Sequence, residues 1–264
     1  MKFFPSFNTF VTIGSINIRW YAICILTGAL IALFIGKKRF KDRGYNPDIL
    51  SDFLINMLVI GIIGARIWYV VFMFDELYLQ DPMQIFALWN GGLAIQGGII
   101  AALPYAYYFF KKHNIRFLSA TDALMPLVLI AQACGRWGNF FNHEAYGSEV
   151  TLEFLRSLHL PQFIIDHMYI GGAYHHPTFL YESMGNLICC AIIIFVVSKI
   201  IKKEGSQFFS YFILYGILRF FVEGLRTDSL MLGSLRMAQV TSIAFIVVGV
   251  IGMIYICLKG KEVE

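Results

Sequence analysis

Apolar residues in this chain gather in long runs, divided by short polar or Gly/Pro-containing stretches, rather than alternating as in a half-buried strand. Several runs approach the about 20 residues that an α-helix needs to cross the hydrocarbon core of a bilayer. They predict seven spans, at 20–36, 54–74, 93–110, 118–135, 178–197, 208–221 and 240–258. One polar interruption is long, 137–177, and inside it 152–165 is again rich in apolar residues, including Leu152, Leu155 and Phe163. That stretch reads as an arm lying in the membrane interface. The expected fold is an all-α polytopic membrane protein with seven transmembrane helices, forming a single transmembrane domain over 1–264 that includes the arm at 137–177. No internal repeat at transporter-like spacing and no low-complexity segment is visible.

Composition strengthens this reading. Of the 264 residues, 58% are hydrophobic and 14% charged, against about 25% charged in a soluble domain, and the mean hydropathy is +0.67. A water-soluble globular protein is excluded. The net charge of +4 comes from basic residues dispersed between apolar runs rather than gathered on one polar face, so nucleic-acid binding is not expected. Thirteen of the 21 Lys and Arg fall on alternate connections and at the end of the chain, in 37–43, 111–116, 199–203 and 259–261. The positive-inside rule makes those segments cytoplasmic, which puts the N-terminus outside and the C-terminus inside. The eight basic residues left for the outer side are Lys2, Arg19, Arg66, Arg136, Arg156, Arg219, Arg226 and Arg236. Seven of these are arginine, whose planar fork binds carboxylate or phosphate bidentately and keeps its charge when partly buried.

The charge order around the first apolar run is the reverse of a secretory signal and no small-residue cleavage site follows, so no cleaved signal is expected. Cys24, Cys134, Cys189, Cys190 and Cys257 lie in or beside apolar runs without metal-type spacing and read as packing residues.

Ionisable residues inside spans are costly and face partners or cavities. Arg66, Arg136, Glu182, Arg219 and Glu223 all fall in the outer halves of their spans, and Tyr215, Arg219 and Glu223 share one helical face at i, i+4, i+8. Arg–carboxylate pairs that hold helices together would account for part of this set. Three arginines against two carboxylates, with Arg226 nearby, leave positive charge for an anionic ligand, most simply a phospholipid phosphate at headgroup depth. The run Asn90-Gly91-Gly92-Leu93-Ala94-Ile95-Gln96-Gly97-Gly98 opens the third span at the same level. Its glycines permit either close helix packing or close approach of backbone to a ligand.

The run Gly135-Arg136-Trp137-Gly138-Asn139-Phe140-Phe141-Asn142-His143-Glu144-Ala145-Tyr146-Gly147 closely resembles the G-R-x-G-N-F-x-N-x-E-x-x-G signature of the bacterial prolipoprotein diacylglyceryl transferases, matching at eight specified positions. Further blocks resemble that family in order along nearly the whole chain: Arg19-Trp20-Tyr21, Gly64-Ala65-Arg66, the 90–98 run, His176-Pro177-Thr178 with Leu180-Tyr181-Glu182, and Tyr215 through Arg226. The resemblance implies transfer of the diacylglyceryl group of phosphatidylglycerol to the lipobox cysteine of a preprolipoprotein. The products would be a thioether and glycerol phosphate, formed at the outer leaflet of a bacterial plasma membrane without metal or cofactor. It also implies that Arg136 and Arg219 bind the lipid phosphate while Tyr21, Asn139, Glu144, Tyr215 and Glu223 shape or tune the site. Arg66, Gln96, Gly97 and Gly98 join the expected substrate-binding set.

The chemistry suits these residues. A thiol attacks an sp³ glycerol carbon and a phosphate leaves, so the main requirement is positive charge aimed at the departing oxygens. The sulfur must become thiolate-like, through a base or a positive field. Many members of the family carry His in the glycine-rich block where this chain has Gln96, which cannot accept a proton at neutral pH. Either that position orients substrate, or another group takes the proton, with Tyr21, Tyr215 and the lipid phosphate itself as candidates. His143, His159, His167, His175 and His176 in the long connection match no metal-ligand pattern and read as solvated loop histidines, and Asp122 as a helix-start carboxylate. The rival classes are a small-anion transporter, which the lack of repeats and of inner-half ionisable groups disfavours, and another phospholipid headgroup or acyl transferase.

Overall fold

The computed structural model describes residues 2–14, 16–88, 91–229, 231–233 and 235–262. Asn90, which opens the glycine-rich run, lies outside the described residues. Each of the seven apolar runs is helical: α1 (Trp20–Asp42), α2 (Ile49–Phe72), α3 (Ile95–Lys112), α4 (Phe117–Asn142), α7 (Thr178–Ile192), α9 (Ser206–Leu225) and α10 (Met237–Lys259). Between α4 and α7 lie two six-residue helices, α5 (Leu152–Ser157) and α6 (Gln162–His167). A π-helical turn, Ile193–Val197, carries α7 into the short α8 (Ser198–Ile200). Six of these segments are long and apolar enough to cross a membrane; α3 is not among them, because its 18 residues include Gln96, Lys111 and Lys112. The chain is thus a mostly helical polytopic membrane protein.

Polarity is inverted relative to a soluble fold. Phe34 is 80% exposed and Leu258 79%, whereas Asp122, Glu182, Asn186 and Glu223 are buried. In a bilayer the cheap surface is apolar and every polar group must find its partner inside the protein.

The chain divides into two compact units, 1–35 with 121–264, and 36–120. In the second unit α2 packs on α3 through small residues: a side-chain carbon on Gly97 would fall 2.3 Å from Cβ of Trp68, and one on Gly64 2.5 Å from that of Ala101. Close backbone approach of this kind is a common basis of helix association in lipid. Phe40, Phe53, Phe109 and Phe110 interlock toward the end where α2 starts and α3 finishes.

In the first unit α9 and α10 meet closely, with Gly216 against Ser242 and Ile246 and Gly249 against Phe209 and Ile213. Strands β1 (Lys2–Ser6), β2 (Thr9–Ile13) and β3 (Ile16–Arg19) form an antiparallel meander ahead of α1. The 137–177 connection is built of short elements around a core of its own. Its apolar residues form their own core, Leu155, Ile164, Ile165 and Met168 packing with Phe140 and Phe179. Pro161 separates α5 from α6, and strands β4 (Glu149–Val150), β5 (Tyr169–Ile170) and β6 (Ala173–His175) join in the order β4-β6-β5. A stretch punctuated by proline and glycine cannot continue as one helix. His175, expected to be solvated, is buried, its Nδ1 2.8 Å from the Gly147 carbonyl and its Nε2 3.2 Å from that of Ile170.

Asp122 is 1% exposed and serves a helix other than its own. Its Oδ2 accepts from Gly205 N at 2.8 Å and its Oδ1 from Phe208 N at 2.9 Å, capping the start of α9, where Gly205 takes a left-handed φ of 92°. The sequence pointed to its own helix because nothing local reveals a partner 83 residues away. Since an orphaned buried donor costs about 1–3 kcal/mol, Asp122→Ala should lower the thermal unfolding midpoint in detergent markedly. Asp122→Asn, which keeps one acceptor, should lower it less.

Candidate active site

The two parts of the expected site lie in different units. In the first, three helix ends supply the charged groups: the last turns of α4 carry Arg136 and Asn139, the early turns of α7 carry Glu182, and the end of α9 carries Tyr215, Arg219 and Glu223. Glu182 is the link. Its Oε1 lies 2.9 Å from Arg136 Nη2 and its Oε2 3.0 Å from Arg219 Nη1, so one buried carboxylate joins α4 to α9. Arg219 also donates through Nη2 to Glu223 Oε2 at 2.5 Å, and Arg136 through Nη1 to Asn139 Oδ1 at 3.1 Å. Both guanidinium groups retain N–H donors that these contacts do not use.

The Tyr215 phenol interacts with Arg136, Arg219 and Glu182, and its ring stacks on Tyr211 at 5.5 Å. Tyr211 in turn accepts from Gln132 Nε2 at 3.0 Å. Tyr21 packs on α4 at Gly138, inside the signature, where a side-chain carbon would meet the Tyr21 ring at 2.5 Å. Glycine at 138 is thus what lets Tyr21 approach α4. Glu144 stays exposed at the rim, its backbone N–H donating to the Asn139 carbonyl and its Oε1 accepting from Asn142 at 3.3 Å.

Sequence reasoning missed two members of this network and the reach of a third. Asp228, outside any span, takes both Nε and Nη2 of Arg226 at 2.9 and 2.8 Å, and those bonds hold its carboxyl below the usual carboxylate range. Arg236 donates to the Glu223 carbonyl at the end of α9. Glu182 itself stood out as a charge in the outer half of a span, but nothing local showed which two arginines it joins. The arginine surplus read from the sequence is present here, with Arg136, Arg219, Arg226 and Arg236 beside Glu182, Glu223 and Asp228. Its fourth member is Arg236, where the sequence pointed to Arg66.

Arg66 belongs to the second unit and is 7% exposed. All five of its N–H groups point at backbone carbonyls: Nε to Ile85 at 2.8 Å, Nη1 to Gly91 and Gly92 at 2.6 and 2.9 Å, and Nη2 to Gln84 and Ala87 at 2.5 and 3.5 Å. Its guanidinium lies 5.5 Å from the centroid of the Tyr78 ring. A cavity of about 220 Å³ opens beside it, lined also by Tyr69, Leu77 and Gln84. Gln96 is exposed in the first turn of α3, and Gly97 and Gly98 face α2. Among the described residues no group of three His, Cys, Asp or Glu side chains is arranged to hold a metal ion.

Residues 8–255 match the family described as prolipoprotein diacylglyceryl transferase. The chain belongs to this family. A phosphatidylglycerol–prolipoprotein diacylglyceryl transferase of Halalkalibacterium halodurans is 43% identical over 261 residues, covering 98% of this chain and 90% of the relative. Relatives of the same name from Bacillus cereus and Bacillus anthracis are 46% identical over 244 residues, covering 92% of this chain and 90% of theirs. In this diacylglyceryl transferase chain the 135–147 signature spans the end of α4 and the turn to Gly147. There the Gly147 and Ser148 N–H groups donate to the carbonyls of His176 and Leu225, tying the signature to the other two helices of the site.

Burial lowers the pKa of His176 below 6.5, and burial together with His167 does the same to His143. A histidine that favours its neutral form when folded contributes stability above its unfolded value of about 6.5, lost as pH falls through the interval below it. The unfolding midpoint in detergent should therefore fall between pH 7 and pH 5, and the double variant His143→Gln/His176→Gln should flatten that slope.

Proposed function

We propose that this chain transfers the sn-1,2-diacylglyceryl group of phosphatidylglycerol to the lipobox cysteine of a preprolipoprotein through the Arg136/Arg219 pair, at the outer leaflet of a bacterial plasma membrane. In this reading there are seven spans, α3 included, with the N-terminus and the 137–177 arm outside and the C-terminus in the cytoplasm. The distribution of Lys and Arg supports that orientation. The observation that carries the reaction is the convergence of two guanidinium groups from α4 and α9 in a membrane-embedded chain of this family.

The sulfur–carbon bond forms as the glycerol carbon–oxygen bond breaks, and the phosphate leaves with the electron pair. Arg136 and Arg219, fixed from two directions, stabilise the charge that grows on the phosphate oxygens, and being already oriented they need no reorganisation as it grows. Tyr215 and Asn139 hold the guanidinium of Arg136 in place, Glu223 holds that of Arg219, and Tyr21 packs on the signature at Gly138. Glu144 contacts substrate from the rim. Arg66 contributes indirectly, by holding the carbonyls of Gln84, Ile85, Ala87, Gly91 and Gly92, and Gln96 orients substrate without taking its proton. The thiol proton passes to the departing lipid phosphate, directly or through the hydroxyl of Tyr21 or Tyr215, which releases its own proton to the phosphate as it takes the thiol's.

Transfer of radiolabelled glycerol from phosphatidylglycerol to a lipobox peptide by the purified protein tests the reaction. Transfer should require Cys rather than Ser in the peptide, resist chelators and release glycerol phosphate. Absence of transfer by folded, lipid-binding protein would overturn the reading. Arg136→Lys should lose most activity, by about 10²-fold or more, because lysine cannot reproduce the planar fork. Gln96→Ala should be milder than Arg136→Ala or Arg219→Ala; equal losses at equal expression would make Gln96 a catalytic group.

A further inference from the structure

Glu182 occupies the position at which an anionic ligand of Arg136 and Arg219 would bind. It is 2% exposed and presents one carboxylate oxygen to each guanidinium, at 2.9 and 3.0 Å, as two non-bridging oxygens of a phosphate would. Together with Glu223 it matches the charge of the two arginines before lipid arrives. Glu223 adds a second carboxylate on Arg219, while Arg136 has no carboxylate but Glu182 among the described residues. A phosphate that takes both guanidinium groups through the Nη groups now facing Glu182 displaces it from at least one of them.

The two phosphates of the reaction differ in charge. The lipid is a phosphodiester with a single negative charge, whereas the released glycerol phosphate is a monoester carrying about −1.5 to −2 at neutral pH. Bare arginines would hold the product more strongly than the substrate. We infer that Glu182 is the resident counterion of the phosphate site, exchanging with the lipid phosphate on binding and returning to both guanidinium groups to expel glycerol phosphate. This rests on the assignment of Arg136 and Arg219 as the phosphate site.

A merely structural Glu182 predicts the opposite sign. If its role were only to hold the arginines in place, its loss would weaken every anion. As a counterion, its loss strengthens anion binding and traps product. The test compares wild type with Glu182→Gln in detergent, measuring KM for phosphatidylglycerol, inhibition by added glycerol phosphate, and the rise in thermal midpoint that glycerol phosphate produces. Glu182→Gln should have a lower midpoint without ligand and a larger rise with it. Its inhibition constant for glycerol phosphate should be about tenfold lower, with a lower KM and a lower kcat.

Weaker or unchanged glycerol phosphate binding by folded Glu182→Gln overturns the inference. If that variant does not fold, Glu182→Asp decides: it keeps the charge but is too short to reach both guanidinium groups, and should bind glycerol phosphate about threefold more tightly than wild type. Equal or weaker binding by this variant overturns the inference. Arg136→Ala and Arg219→Ala monitor the underlying assignment separately. Both should weaken glycerol phosphate binding, and if neither does, it is the phosphate site that has been misplaced.

Discussion

A charge placed among apolar helices in a bilayer has no water to fall back on, and most of what is distinctive in this molecule follows from that. Every guanidinium and carboxylate in the site must be answered by another group of the protein, and the answer comes from a different helix wherever the local turn cannot supply it. Glu182 is answered by Arg136 on α4 and Arg219 on α9, which ties three segments widely separated in sequence. Asp122 solves the same problem for the backbone, supplying the acceptor that the first turn of α9 lacks. The polar contacts are few, but each one fixes a pair of segments against each other.

That economy explains what could be read from the sequence. The helices were legible because a bilayer imposes a length and an apolar content on each, and helices stand at all seven runs. Arg136, Arg219, Glu223 and Tyr215 were legible because charges in apolar runs stand out, and because i, i+4 spacing on α9 is a local signal. Partnership across the fold was not legible. Nothing near Asp122 announces Gly205, and nothing near Arg236 announces the end of α9. The small sheets were missed for a related reason: β4, β5 and β6 are two or three residues long, too short to show a period of two.

The 137–177 connection shows that apolar residues of such an arm also serve packing within the protein. Leu155, Ile164, Ile165 and Met168 are apolar because they build a core with Phe140 and Phe179. The end of α4 is thus packed by the connection that follows it, one turn beyond Arg136. The signature at 135–147 serves both purposes at once, with Phe140 in that core, Asn139 on the arginine and Gly147 in the backbone link to α7 and α9.

Arg66 grips its loop entirely through main-chain carbonyls, a set of atoms present at every position whatever the side chain. The course of 84–88 and of the left-handed pair Gly91 and Gly92 is thus set by one arginine, whatever side chains stand along it. A loop templated in this way can change its chemistry without changing its shape. Lysine, with three donors on a single point, could not hold that scaffold, so the freedom of the loop depends on the fixity of the residue beneath it.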